Sequence, residues 1–183
     1  MPPATRLVRP DDAPALADLL RRNRDFLAPW EPVRTDEWFT VEGQRTAIHE
    51  VLGQHERGLA LPHVVLDRDG RVAGRVNLNT IVRGAFQSAS VGYWVSEDRN
   101  GQGLATAGVR EMKRVAFEEL GLHRLEAGTL LHNAASQRVL ERNAFERFGL
   151  APRYLRIAGR WQDHVLFQVL DEDEARDPAG YFQ

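Results

Sequence analysis

The stretch that most constrains the fold is RNGQGLATAGVREM at residues 99–112, which follows a strand-like apolar segment at 89–96. Gly101 and Gly103 lie only two residues apart in it. Glycine is unfavourable inside helices and a simple turn needs only one, so the pair suggests that another group approaches this backbone closely. A strand that runs through such a turn into a helix presents unpaired N–H groups at the positive end of the helix dipole, an arrangement that binds phosphate.

Two known nucleotide-binding motifs do not fit this turn. No Gly-Lys-Ser/Thr follows it, so it is not a Walker loop. The G-x-G-x-x-G pattern fits Gly101 and Gly103, but Thr106 occupies the third glycine position. A tight loop of small residues that lets two helices pack closely explains the same letters. The turn alone therefore leaves an anion site and a packing role both open.

The rest of the chain predicts one mixed α/β domain over residues 1–170. The Asp69-Gly70 pair between two apolar runs predicts a β-hairpin over 63–82. Two prolines within 23–32 predict a loop with exposed aromatic side chains. The predicted strands cover 5–10, 89–96, 123–131, 144–158 and 161–170, and the predicted helices are one capped by Asp11 or Asp12, one around 41–52, one over 104–120 and one over 133–143. The acidic segment 171–183 is expected to be a flexible tail.

Composition excludes several function classes. The net charge of −2 argues against a broad nucleic-acid-binding surface. Cysteine is absent, and the six histidines show no metal-ligand spacing, so we expect no metal. No run approaches the ~20 apolar residues of a membrane span. We therefore expect a soluble, cytoplasmic protein without a membrane partner, as a monomer or homodimer.

Two motifs resemble the GNAT acyltransferase superfamily. Its cofactor loop has the form Gln/Arg-x-x-Gly-x-Gly/Ala, and NGQGLA (100–105) is similar to it, with Asn100 in the first position. NAASQRVLERNAF (133–145) is similar to a second motif that ends in Gly-Phe, with Ala144 in place of the glycine. The resemblance runs from residue 5 to about 170. NRDFLAPWEP, IVRGAFQSASVGYWV and AGRWQDHVLF narrow it to the RimJ/RimL-type branch, whose members acetylate the N-terminal alanine of a ribosomal protein.

This resemblance implies a fold and a set of cofactor contacts. The implied fold is a central, mostly antiparallel mixed sheet, flanked by helices, that splays between strands 4 and 5 to hold acetyl-CoA. The implied cofactor-binding residues are Trp94, Val95, Ser96, Asn100, Gly101, Gln102, Gly103, Leu104, Ala105, Thr106, Asn133 and Ser136. Helix capping is the alternative role for both Asn133 and Ser136. The implied acceptor loop contributes Phe26, Leu27 and Trp30.

The catalytic residues are the least constrained by sequence. Many N-acetyltransferases carry a tyrosine general acid at the position of Leu140. Glu126, on the strand beside the expected gap, is the first candidate base and Glu31 the second. An ordinary ion pair with an arginine is the alternative for Glu126, and a solvated loop carboxylate is the alternative for Glu31. The adjacent pair Asp163 and His164 favours a structural role, because neighbouring strand residues point to opposite faces.

The implied reaction is acetyl transfer from acetyl-CoA to a primary amine, most simply the N-terminal alanine of a small-subunit ribosomal protein. Two other functions remain compatible with the sequence. One is acetylation of a small-molecule amine such as an antibiotic or an amino acid. The other is a non-catalytic CoA-binding module.

Overall fold

Seven strands form one sheet in the computed structural model, which describes residues 4–172. The strands are Thr5–Leu7 (β1), Leu61–Leu66 (β2), Val72–Val82 (β3), Ser88–Val95 (β4), Arg124–Leu130 (β5), Glu146–Ile157 (β6) and Arg160–Leu170 (β7). Their order is β1-β2-β3-β4-β5-β7-β6, and each neighbouring pair is antiparallel except the parallel pair of β4 and β5. The predicted mixed, mostly antiparallel sheet is confirmed.

Helices cover both faces of this sheet. They are Ala13–Arg22 (α1), Arg24–Leu27 (α2), Val41–Glu56 (α3), Leu104–Arg114 (α4) and Ala134–Glu141 (α5), and a π-helical segment, Val115–Glu119, continues α4. Val64 packs in a cluster with α1 and α3, whereas its neighbour Val65 packs in the larger cluster with α4. Because successive strand residues point to opposite faces, α1 and α3 lie on one side of the sheet and α4 on the other.

The predicted hairpin is confirmed as β2 and β3, which pair from Leu61↔Leu78 to Leu66↔Val72. The Asp67 carboxylate closes the turn by accepting the main-chain N–H groups of Asp69 and Arg71, each at 2.9 Å. An Asp side chain that bonds N–H groups a few residues ahead is a common way to stabilise such a turn.

The segment 23–32 differs from the predicted loop, because α2 occupies its first half and Leu27 is buried there. The physical reason is Asn23, a buried side chain whose amide donates to the Leu19 carbonyl at 2.8 Å. Its side-chain oxygen accepts the Glu97 N–H at 2.7 Å. These bonds anchor the start of the segment, so α2 forms before the two prolines are reached.

Asp12 occupies the N-cap position of α1, but its carboxylate does not cap the helix. It instead accepts two hydrogen bonds from the Arg6 guanidinium, both at 2.7 Å, and the Arg9 N–H at 2.8 Å. A bidentate, charge-assisted pair is stronger than a neutral cap bond, which explains the difference.

Two further expectations concern the chain end and membranes. The predicted acidic tail lies outside the described residues from position 173 onward. Among residues 4–172, no helix combines the length and hydropathy that crossing a membrane requires.

One non-glycine residue holds a strained backbone where the second motif of the resemblance has glycine. Ala144 follows α5 with φ of +62°, in the left-handed region that L-residues rarely adopt. Its N–H donates to the Glu141 carbonyl at 3.0 Å, so the conformation is part of the helix end.

We expect Ala144→Gly to stabilise the protein. Relief of the left-handed strain is worth about 1–2 kcal/mol, and the added freedom of the unfolded chain offsets about 0.4–1 kcal/mol, which leaves a gain of roughly 0.5–1 kcal/mol. Urea unfolding measures this change. The matched control is Ala135→Gly inside α5, which should cost roughly 1 kcal/mol. Equal destabilisation by both substitutions would show that Ala144 stores no strain.

Candidate active site

The site begins where β4 and β5 separate. These parallel strands are in register over only three pairs, Ser88↔Arg124, Ala89↔Leu125 and Ser90↔Glu126. Beyond Ser90, β4 stays paired with β3 as far as Val95↔Gly74, while β5 stays paired with β7 to its end. Each strand therefore keeps one antiparallel neighbour and diverges from the other, which opens a gap in the middle of the sheet.

Two cavities meet at this gap. The first, of about 460 Å³, lies between the segment 99–106 and α5, and we call it the loop cavity. The second, of about 330 Å³, lies between the segment 30–38, strand β3 and strand β5, and we call it the sheet cavity. Both are lined by Trp30, Tyr93, Trp94, Asn133 and Ser136. A ligand that passes between these residues reaches both cavities.

The glycine turn forms one wall of the loop cavity. Gly101 and Gly103 have φ of +77° and +79°, and a Cβ added at either would meet no heavy atom within 4 Å. Packing therefore does not demand glycine here, whereas the left-handed backbone does. Within the described part of the chain, the N–H groups of residues 101–106 donate to no other residue. They are free donors at the start of α4, which favours the anion site over the packing role.

Three guanidinium groups that the sequence reading missed also line the loop cavity: Arg99, Arg138 and Arg142. Arg138 and Arg142 are four residues apart at the end of α5, so helical spacing gives a signal for that pair. Arg99 also lies 3.5 Å from the buried carboxylate of Asp67. Free amides and three cations fit a ligand with several phosphate groups.

Tyr93 and Ser136 form a hydroxyl pair between the two cavities. Their oxygens lie 2.8 Å apart, and the Tyr93 hydroxyl also lies 3.1 Å from the Ser136 carbonyl. Burial raises the pKa of Tyr93 to about 12, so the phenol keeps its proton at neutral pH. Leu140, at the usual tyrosine position, is fully buried. A phenol is thus present, but it comes from β4 rather than from α5.

Asn133 caps α5 and lines both cavities. Its side-chain oxygen accepts the Ser136 N–H at 3.1 Å, which is the capping role considered from sequence. This bond also fixes the start of α5 beside Tyr93.

Glu31 is the carboxylate that the structure brings into the sheet cavity. Burial raises its pKa, and the positive charges of Arg34 and Arg75 oppose that change. Among the described residues its carboxylate forms no hydrogen bond or ion pair. Its main-chain carbonyl accepts the Ala158 N–H at 2.9 Å, which ties the segment to the β6–β7 turn.

The structure does not bring Glu126 into the site. Glu126 belongs to the last registered pair before the strands diverge, and it lines neither cavity. Its carboxylate lies 3.5 Å from the Arg124 guanidinium on the same strand, which is the ion-pair alternative weighed from sequence. The expectation that Glu126 is the base therefore does not fit this geometry.

Most of the expected cofactor residues line the loop cavity, but two do not. Those that line it are Trp94, Val95, Asn100, Gly101, Gly103, Leu104, Ala105, Thr106, Asn133 and Ser136. The Ser96 hydroxyl is buried, where it donates to Asp98 and accepts from Asn23. The Gln102 side chain is exposed and lies outside the cavity lining. Ser96 thus holds the segment before the glycine turn and faces no ligand space.

The expected acceptor residues divide between the two cavities. Phe26 and Leu27 line only the loop cavity, because α2 turns them toward the glycine turn. Trp30 lines both cavities, and its ring centroid lies 5.4 Å from that of His132. His164 is buried in the sheet cavity wall, with its Nδ1 2.9 Å from the Gln162 carbonyl. The Asp163 carboxylate points elsewhere and accepts the Arg153 N–H at 2.8 Å.

Within residues 4–172, no group of three or more His, Cys, Asp or Glu side chains could hold a metal ion. The polar groups of the site are instead hydroxyls, amides, guanidiniums, indole N–H groups, the His164 imidazole and one carboxylate.

Comparison with known proteins agrees with this architecture. The model of the acetyltransferase (GNAT) domain matches residues 5–146. The chain is 38% identical to the probable N-acetyltransferase YjcK of Bacillus subtilis, over 93% of this chain and 96% of that protein. It is 36% identical to the ribosomal protein uS5-alanine N-acetyltransferase of Escherichia coli, over 92% and 87% of the two chains.

A solved structure of a relative also superposes closely on this chain. RimJ of Mycobacterium smegmatis, in complex with CoA-disulfide, superposes with a TM-score of 0.88 at 32% identity, over 94% of this chain and 85% of that chain. Acetyltransferases of this family use acetyl-CoA. On the match to the domain model and on these relatives, the chain belongs to the GNAT family of N-acetyltransferases.

Proposed function

We propose that this enzyme transfers the acetyl group of acetyl-CoA to the α-amine of a protein amino terminus, with a ribosomal protein that begins with alanine as the acceptor. The observation that carries the proposal is the junction of two cavities at Tyr93 and Ser136. One cavity has free main-chain amides and cations, and the other has a half-buried carboxylate. The names of the relatives from Escherichia coli and Mycobacterium smegmatis support the choice of acceptor.

In this proposal the loop cavity binds acetyl-CoA, which supplies an activated acetyl thioester. The N–H groups of residues 101–106 and the side chains of Arg99, Arg138 and Arg142 would hold its phosphates. The facing edges of β4 and β5 carry main-chain groups with no partner across the gap, which suits the amides of the pantetheine arm.

Glu31 is the acceptor-side group in this proposal. A carboxylate in a poorly hydrated cavity attracts an ammonium ion and then accepts its proton, directly or through water. Its raised pKa makes it a better base than an exposed glutamate. No other carboxylate lines the described part of the sheet cavity.

The Tyr93–Ser136 pair is the hydrogen-bond donor to the leaving sulfur in this proposal. Amide formation breaks the C–S bond and leaves a thiolate, which takes one proton. A hydroxyl that keeps its proton at neutral pH and lies between the two cavities can donate a hydrogen bond to that sulfur. Because the pKa of Tyr93 lies above that of a thiol, the proton that the thiolate takes comes from solvent. A thiol titrates near ~8.5, so the thiolate departs with modest help.

An α-amine also suits a site that relies on a weak carboxylate base. It titrates near ~7.7–8.0, so roughly a tenth is neutral at pH 7, whereas a lysine amine near ~10.4 is almost wholly protonated. The difference is on the order of 3.5 kcal/mol of deprotonation that an α-amine spares the enzyme. Holding the amine and the thioester in the reacting geometry then supplies much of the rate enhancement.

The acceptor is tested by measuring CoA release with a panel of amines. The panel contains a peptide that begins with alanine, the same peptide with a blocked amino terminus and an internal lysine, free alanine and an aminoglycoside. We expect rapid turnover only with the free peptide amino terminus. Faster turnover with the aminoglycoside or free alanine would favour a small-molecule acceptor, and no turnover with any amine would favour a non-catalytic CoA-binding module.

Glu31→Gln should lower kcat/KM about 10- to 100-fold at pH 7, because the base is lost. Activity should recover partly as pH rises through the pKa of the amine itself. Steady-state kinetics with the alanine peptide measure both effects. The matched control is Glu126→Gln, which we expect to stay within about twofold of wild type because Glu126 lines neither cavity. The reverse ranking of the two variants would return Glu126 to the mechanism.

Glu31→Gln should also change the stability of the fold in a pH-dependent way. A carboxyl whose pKa is raised in the folded state favours folding at low pH and opposes it once ionised. The free energy of unfolding of Glu31→Gln minus that of wild type should therefore increase from pH 4 to pH 7. Chemical denaturation at the two pH values measures it. A difference that does not change with pH would mean that Glu31 is not held in a poorly hydrated place.

Gly103→Val should weaken acetyl-CoA binding, because a β-branched residue disfavours the left-handed backbone that aims the turn amides. Loss of one or two charge-assisted hydrogen bonds costs about 1.5–3 kcal/mol each, or roughly 10- to 100-fold in affinity apiece. Isothermal calorimetry measures it. Gly70→Val is the control, because Gly70 has a similar φ of +76° and equally open space but lines neither cavity. Equal affinity in both variants would remove the turn from the binding site.

A further inference from the structure

Two glycines lie on opposite sides of the gap between β4 and β5. Gly92 on β4 and Gly128 on β5 are each two residues beyond the last registered pair, Ser90↔Glu126. Residues two apart on a strand point to the same face of the sheet, so both glycines belong to one face. Both are exposed, and both line the sheet cavity. The floor of that cavity therefore has no side chain on either side of the gap at this level.

Four glycines lie within the strands of the described residues, and the other two have structural explanations. A Cβ at Gly74 on β3 would lie 2.1 Å from the Trp94 carbonyl oxygen, so close packing requires that glycine. Gly149 on β6 lies where the register with β7 shifts, and glycine is common at such bulges.

Neither explanation applies to Gly92 and Gly128. Both have φ outside the left-handed region, and the pairing with β3 and β7 is regular at both. A Cβ at Gly92 would meet only the Asn79 side-chain nitrogen, at 3.4 Å. A Cβ at Gly128 would lie 3.5 Å from the nearest atoms of His164 and Tyr154, which is ordinary contact. Glycine weakens a strand interior, and where no bulge requires it, it marks the close approach of a ligand.

The place of the two glycines decides which part of the acceptor they meet. In the proposed function the acetyl group enters through the gap and Glu31 attracts the amine in the sheet cavity. The carbon that carries the amine then lies at the mouth of the gap, between Gly92 and Gly128. In an amino terminus this carbon also carries a carbonyl and a side chain. In a lysine side chain it carries a single methylene chain, so an amino terminus needs more width there.

We propose that Gly92 and Gly128 set the width of the acceptor site and leave room for the side chain of the first acceptor residue. This inference rests on the proposed acetylation of amino termini and names the residues that determine which amino termini enter. A methyl group added at either position would take the space that the methyl group of an amino-terminal alanine needs. An acceptor that begins with glycine lacks this methyl group and would still fit.

The test compares two acceptors, Ala-Gly-Gly amide and Gly-Gly-Gly amide, with each enzyme. Gly92→Ala and Gly128→Ala should each lower the ratio of kcat/KM for the alanine peptide to kcat/KM for the glycine peptide about 10- to 100-fold, because one extra methyl group overpacks the site only for alanine. Both peptides are measured with the same enzyme sample, so the ratio does not depend on the fraction that is folded.

Gly149→Ala is the matched control. Gly149 and Gly128 are both in register with Leu166, from opposite sides of β7, but Gly149 lines neither cavity. This control should leave the ratio unchanged. Gly92→Ala and Gly128→Ala should unfold at temperatures no lower than wild type, because alanine restricts the unfolded chain at a backbone conformation that it can adopt. A glycine needed only for folding would show a lower unfolding temperature and an unchanged ratio.

The width assignment requires the ratio to fall in both Gly92→Ala and Gly128→Ala. If wild type acetylates the two peptides and either variant keeps the wild-type ratio, including by losing both peptides equally, the width assignment is wrong and the proposed function survives. If wild type acetylates neither peptide, the proposed function fails and the width assignment fails with it.

Discussion

The site depends on the short pairing between β4 and β5. A fully paired sheet would use the main-chain groups of both strands and leave no room in the middle. Here the parallel register ends at Ser90↔Glu126, while the antiparallel neighbours β3 and β7 continue to support each strand. The gap therefore does not leave either strand without support. It also creates two inner edges whose main-chain groups face the gap instead of another strand.

Close packing on the β3 side helps to hold β4 in its divergent path. A Cβ at Gly74 would lie 2.1 Å from the Trp94 carbonyl oxygen, so only glycine permits this approach. Trp94 then lies between the two cavities with its main chain fixed. From Ser96 the chain passes into the glycine turn, and Asn23 bonds both Ser96 and Glu97. The segment that carries Trp30 and Glu31 is thereby linked to the segment that carries the free amides.

Local chemistry made much of the fold predictable from sequence. The Asp-Gly pair identified the β2–β3 hairpin, and the glycine turn identified the start of α4. The resemblance predicted where the sheet splays, but strand periodicity does not show at which residue the splay begins. That register keeps Glu126 out of the gap, because Glu126 belongs to the last registered pair. Likewise, the sequence did not predict that α2 turns Phe26 and Leu27 toward the loop cavity. The position of α2 depends on the anchoring bonds of Asn23, which no sequence pattern indicates.

The sheet cavity was the part least accessible to sequence reasoning. Trp38, Arg75 and Asn77 come from two distant segments and share no motif. Only the sheet register and the bonds of Gln44 on α3 bring them together. By contrast, the spacing of Arg138 and Arg142 on one helix was a signal available before the structure.

The most direct test of this site is a crystal structure with a bisubstrate analogue in which CoA sulfur is joined through an acetyl group to the amino terminus of an alanine peptide. We expect its pyrophosphate on the amides of residues 101–106, its acetyl group beside Tyr93 and Ser136, and its peptide in the sheet cavity with the linked nitrogen near Glu31. Density for the peptide outside the sheet cavity, or for the pyrophosphate away from the glycine turn, would contradict this site.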